Sequence, residues 1–98
     1  MINFETFKNL YDTIPGEPEF ELYFNDRKDT YWIIKYSDYV TYQKSSLNSD
    51  EIKYDNLDEL YNVNLKDSWQ NITDIVIDTT FSIKDDKEDI ENTYNVKL

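Results

Sequence analysis

Between residues 19 and 44 apolar and polar side chains alternate with a two-residue period, the sequence breaks, and the alternation resumes. Phe20, Leu22 and Phe24 alternate with Glu19, Glu21 and Tyr23, the pattern of a strand that buries one face and wets the other. A polar turn at residues 25–29 leads into residues 30–36, dense in aromatic and β-branched side chains, and a third run follows at residues 39–42. The pattern predicts an antiparallel meander on which the rest of the chain packs. It places Trp32, Ile34 and Tyr36 on one side of that sheet and Tyr31 and Ile33 on the other.

The flanking segments read as helices. Phe4, Phe7, Leu10, Tyr11 and Ile14 share an arc of about 120° at 3.6 residues per turn, with Asn3 placed to cap. The 15–18 segment, Pro-Gly-Glu-Pro, ends that helix. After the meander comes a polar loop at residues 45–49, then a short fourth strand at residues 50–54. A second helix is expected over residues 55–62, with Asp55, Asp58 and Glu59 on the face opposite Leu57, Leu60 and Tyr61. Leu65, Trp69, Ile72 and Val76 share a helical face, so a third helix is expected over residues 65–75, capped by Asn64. Beyond it the period is ambiguous: Ile75, Ile77, Thr79, Phe81 and Ile83 alternate as a strand, yet the helix can equally continue to Ile77. Residues 84–92 are mostly charged and read as a solvated loop, and residues 93–98 as an edge strand or a frayed end.

The resulting fold class is α+β, one domain over residues 1–98. It has an N-terminal helix, a three- to four-stranded antiparallel meander, and two helices from the C-terminal half packed on one sheet face. Residues 84–98 form a flexible or edge-strand tail.

A chain of 98 residues buries only about 60–65% of its unfolded surface, so its core leans on large side chains, here sixteen aromatics. The absence of Ala, His and Cys beside many Asn, Ile, Tyr and Lys points to an AT-rich gene, as in a low-GC bacterium or a mobile element. Codon bias raises lysine as readily as aspartate, yet there are 21 acids against 10 bases, a net charge of −11. The surplus is uneven: residues 1–49 carry 8 acids and 5 bases, residues 50–98 carry 13 and 5. Such a field repels nucleic acid and anionic membranes and steers basic partners.

Several chemistries lack their residues. Without cysteine there is no disulfide framework, thiol nucleophile or thiolate-ligated zinc, and without histidine no Ser–His pair. The lone glycine, Gly16, cannot build a phosphate cradle. No cofactor is expected. The acidic run at residues 85–89 is interrupted by Lys87 and lacks the glycine of a calcium loop, so it reads as solvated charge. With no long apolar run and no basic–apolar leader, the expected location is cytoplasmic.

Two surfaces remain as candidates. Asp50, Glu51, Asp55, Asp58, Glu59, Asp67, Asp74 and Asp78 are expected to form an acidic contact surface for a basic protein. Tyr23, Tyr31 and Ile33 are expected to form an apolar patch, an interface if no helix covers it. The functional expectation is a non-enzymatic protein-interaction module, monomer or homodimer, in its sharpest form an inhibitor or nucleic-acid mimic bound to a basic protein. The alternatives are a carboxylate-based metal-dependent hydrolase and a homodimeric structural subunit.

Overall fold

The computed structural model describes residues 2–46 and 48–98; residue 47, in the loop expected at 45–49, lies outside the described residues. Three helices stand on one face of a six-stranded, wholly antiparallel sheet. The strands are β1 (Glu19–Phe24), β2 (Tyr31–Lys35), β3 (Val40–Lys44), β4 (Ile52–Tyr54), β5 (Ile72–Ile77) and β6 (Phe81–Ser82). Their spatial order is β4-β3-β2-β1-β5-β6. The helices are α1 (Phe4–Thr13), α2 (Leu57–Asn64) and α3 (Lys87–Tyr94).

Helix α1 forms as its spacing demands. The Asn3 side chain accepts from the Thr6 amide at 2.8 Å, and Phe4, Phe7, Leu10 and Tyr11 are buried. Its last turn holds no basic residue, so the cation comes from elsewhere. The Lys35 ammonium on β2 donates to the carbonyls of Tyr11 at 2.7 Å and Ile14 at 2.9 Å, offsetting the negative end of the helix dipole. Gly16 then turns the chain toward β1 at φ +80°, a conformation that disfavours any Cβ.

Strand β1 is the hub, pairing with β2 on one side and β5 on the other. Residues directly opposite in an antiparallel ladder share a face. Phe20 therefore sits beside Ile33 and Ile77, and Leu22 beside Tyr31 and Ile75. Above them lie the helices: Phe7 meets Phe20 edge-on at 5.1 Å, and Phe4 and Phe7 hold Trp69. At the far side Tyr94 of α3 packs edge-on against Phe81 at 6.2 Å, and Ile90 is fully buried. Twenty buried apolar residues make one cluster on this face.

Strand β5 corrects the expectation of a third helix over residues 65–75. A turn after α2 and one 3-10 turn, Trp69–Asn71, lead directly into it. The reason is a β-bulge. Tyr23 faces Asp74 while Phe24 faces Ile72, so Thr73 is an extra residue. The bulge puts Ile72 and Ile75, three apart, on one face, which imitates a helical period. The β-branched content of residues 72–77 decides for the strand.

Three further expectations are revised. The sheet has six strands instead of three or four, because β5 and β6 return beside β1. Helix α2 starts two residues later than expected, at Leu57, capped by the Asn56 side chain on the Glu59 amide at 2.9 Å. Residues 87–94, which span most of the charged loop expected at 84–92 and the start of the edge strand or frayed end expected at 93–98, form α3, and residues 95–98 follow it without a strand. Ile90 alone anchors that helix inside, and Asn95 closes it in the left-handed conformation at φ 54°.

Burial also sets a pH limit. Desolvation pushes the Tyr11 phenol up to about 12 and raises that of Tyr42 as well. The unfolded chain ionises its phenols near about 10, so above that pH it releases protons that the folded chain retains. Stability is therefore complete below about pH 10 and falls as pH rises toward about 12. Urea midpoints measured across that range should drop for the wild type and flatten for the Tyr11→Phe/Tyr42→Phe double variant.

Candidate functional site

With the three helices of the described residues on one side, no helix covers the other face of the sheet, although Thr41 on it is buried beneath Glu51. Ladder register assigns its residues: Glu19, Glu21 and Tyr23 from β1, Trp32 and Ile34 from β2, Thr41 and Gln43 from β3, Lys53 from β4, Asp74 and Val76 from β5. Trp32, Ile34 and Val76 are half-buried and Tyr23 is 37% exposed. Tyr36 and Tyr39 extend the apolar band past the β2–β3 turn, stacked at 4.6 Å, with the Lys53 ammonium 4.5 Å above the Tyr39 ring. The residues ahead of β4 reach this face at two points, Ser49, whose carbonyl accepts from Gln43 at 3.0 Å, and Glu51.

The carboxylates of this face are held in place by neutral donors. Glu21 accepts from the Tyr23 hydroxyl at 2.9 Å and the Thr30 hydroxyl at 2.8 Å. Glu51 accepts from the Thr41 hydroxyl at 2.6 Å and the Tyr36 hydroxyl at 3.0 Å. Asp74 accepts from the Ser82 hydroxyl at 2.6 Å and the Lys84 amide at 3.1 Å. The carboxylate bonds push both phenols, Tyr23 and Tyr36, above their ordinary range. Among the described residues, the ion pairs are Lys8–Asp58, Arg27–Asp26 and Lys44–Asp29, and none of them uses a carboxylate of this face.

The eight expected contact acids therefore do not form one surface. Glu51 and Asp74 lie on the open sheet face. Asp55, Asp58 and Glu59 surround the start of α2, in the helix layer behind it, where Asp58 meets Lys8 at 2.6 Å. Asp50 is exposed ahead of β4, Asp67 lies in the turn after α2, and Asp78 sits in the β5–β6 turn accepting from the Glu19 amide at 2.8 Å. The fold of residues 65–77 accounts for part of this: Asp67 and Asp74, expected on one helix face, lie in a turn and on β5.

The second expected patch is also divided. Tyr31 and Ile33 point into the core, Ile33 fully buried and Tyr31 stacked on Tyr42 at 5.2 Å. Tyr23 is on the opposite face, because its odd position on β1 pairs it with Asp74 and the open side. The uncovered face is the one bearing Trp32 and Ile34. Alternation alone separates Trp32 from Ile33; the ladder register, which pairs Phe20 and Leu22 with Ile33 and Tyr31, decides that Trp32 lies outside.

Three concavities among the described residues lie elsewhere, one of about 350 Å³ beside Arg27, Asn64, Asp67 and Asn71. A cleft of about 440 Å³ between α1, the β2–β3 turn and the start of α2 is lined by Asp12, Asp38, Asp55 and Asp58 with Lys8 and Lys35. A third, of about 480 Å³ and more apolar, lies among Ile2, Ile83, Lys84, Lys87 and Leu98. Among the described residues no three carboxylates gather closely enough to hold a metal ion, and no helix is long and apolar enough to cross a membrane. The chain matches no protein-family model, no curated protein and no solved structure.

Neighbouring residues on β2 should respond oppositely to substitution. Ile33→Ala should cost about 2–5 kcal/mol, a large part of the roughly 5–10 kcal/mol available to such a domain. Ile34→Lys should change stability by less than about 1 kcal/mol, since a lysine there reaches water beside Glu19. Urea unfolding of the two variants checks the assignment of faces.

Proposed function

We propose that this protein is a non-enzymatic interaction module that engages a basic protein through the uncovered sheet face. One observation carries the reading. A half-buried apolar band centred on Trp32 and Ile34 is covered by no helix of the described residues, and the carboxylates around it form no ion pair among those residues, with Lys53 the one cation the ladder register places on the same face. A partly exposed aromatic–aliphatic patch with a charged border resembles the composition of protein interfaces, apolar and aromatic at the centre and polar at the rim. The net charge of −11 selects the sign of the partner and speeds its approach.

The sharper form of this reading is an inhibitor that occupies the basic site of a nucleic-acid-handling protein. It uses the same electrostatics, with the sheet face in place of a phosphate backbone. The hydrolase alternative needs converging carboxylates, and the homodimer alternative needs either a sheet edge, β4 or β6, or the open face meeting a second copy bearing the same Glu19, Glu21, Glu51 and Asp74. Like charges opposed across an interface disfavour that pairing.

Capture from a low-GC bacterial lysate tests the proposal. At low salt the wild type should retain a protein of basic isoelectric point, release it near about 0.5 M salt, and lose it in the Ile34→Lys variant. Retention unchanged by Ile34→Lys, or no basic protein at low salt, contradicts the proposal.

A further inference from the structure

We infer that the occupant of the open face is a cationic amphipathic helix, an inference that rests on the interaction reading above and specifies its chemistry. The two tethered carboxylates set the spacing. Glu21 lies on β1 opposite Trp32, and Glu51 is held over Thr41 on β3, which is opposite Ile34. They are thus two strands apart and offset by two residues. At about 4.8 Å per strand and about 3.3 Å per residue, the ladder positions of Glu21 and Thr41 stand about 12 Å apart, with Trp32 and Ile34 between them.

A helix rises about 1.5 Å per residue, so cations seven or eight residues apart on one face span that distance. Side chains three or four residues from each cation lie between them on the same face, and apolar ones there meet Trp32 and Ile34. An extended peptide is the poorer match. Within the sheet the backbone groups of β1, β2 and β3 are already paired with one another, so the face offers a strand no ladder to join. A helix satisfies its own backbone and presents only side chains.

Both anchors are prepared for a cation. Glu21 spends one hydrogen bond on each oxygen, and both bonds to Glu51 fall on Oε1. Each carboxylate therefore keeps acceptor capacity while its donors, being neutral hydroxyls, leave its charge intact. A fixed carboxylate also loses less rotamer entropy when an ammonium or guanidinium arrives.

Trp32 supplies the readout. In a Trp69→Phe background it is the sole indole, on the face in question. The probe is a synthetic helix of about 18 residues, roughly 27 Å long, built from Leu, Ala and Lys with lysines on one stripe bordering the leucines. A scramble of the same composition is the comparison. Trp32 emission should shift to the blue and saturate with the amphipathic peptide, far more weakly with the scramble. Glu21→Gln/Glu51→Gln should weaken binding roughly tenfold or more. Asp55→Asn/Glu59→Gln, which removes the same charge from the helix layer, should weaken it less than about twofold. Equal weakening by both pairs, equal binding of the scramble, or a silent Trp32 overturns the inference. If Trp32 is silent while Ile34→Lys still abolishes capture of a basic lysate protein, only the helical occupant is wrong. If Ile34→Lys leaves capture unchanged, the interaction reading falls with it.

Discussion

The pairing of β1 with both β2 and β5 is the constraint from which the rest follows. It brings Phe20 and Leu22 between Ile33, Tyr31, Ile75 and Ile77, making a continuous apolar floor across three strands. Helix α1 can then lay Phe7 and Tyr11 on Phe20, and Trp69 closes the layer by donating its indole N–H to the Ile2 carbonyl at 3.0 Å. Without β5 beside β1 the floor would be two strands narrower, with nothing for α3 to rest on. Because every helix is drawn to this floor, the reverse side of the sheet is left with none.

That asymmetry gives the acidic surplus its meaning. Most carboxylates are where an acidic domain needs them for hydration, at helix starts, turns and edges. Those of the open face differ in being held: hydroxyls of Tyr23, Thr30, Tyr36 and Thr41 fix Glu21 and Glu51 beside the half-buried Trp32 and Ile34. Carboxylates standing on both sides of Trp32 and Ile34 are the feature on which the proposed basic amphipathic partner rests.

The elements with a strong single period were legible in the sequence: α1 from Phe4, Phe7, Leu10 and Tyr11, β1 and β2 from strict alternation, and the α+β class from both. The failures have physical causes. A bulge at Thr73 put Ile72 and Ile75 on one face and made a strand resemble a helix. Helix α3 buries Ile90 alone within its span, so its apolar period was too sparse to read against the acids around it. Alternation separated Trp32 from Ile33 correctly but does not say which side the helices cover, and the parity of Tyr23 relative to Ile33 depends on a ladder register that sequence does not encode locally. The acids of the second half were legible as a surplus, while the dispersal of Asp67 and Asp74 followed from the misread segment over residues 65–77.

Quenching of the two indoles by neutral acrylamide tests the one-sided architecture most directly. The Trp69→Phe protein reports Trp32 on the open face, and the Trp32→Phe protein reports Trp69, buried against Phe4 and Phe7. The account predicts a quenching constant several-fold larger for Trp32, in a protein that unfolds cooperatively in both forms. Equal and weak quenching of both indoles would mean that something covers the Trp32 face, and the account would be wrong.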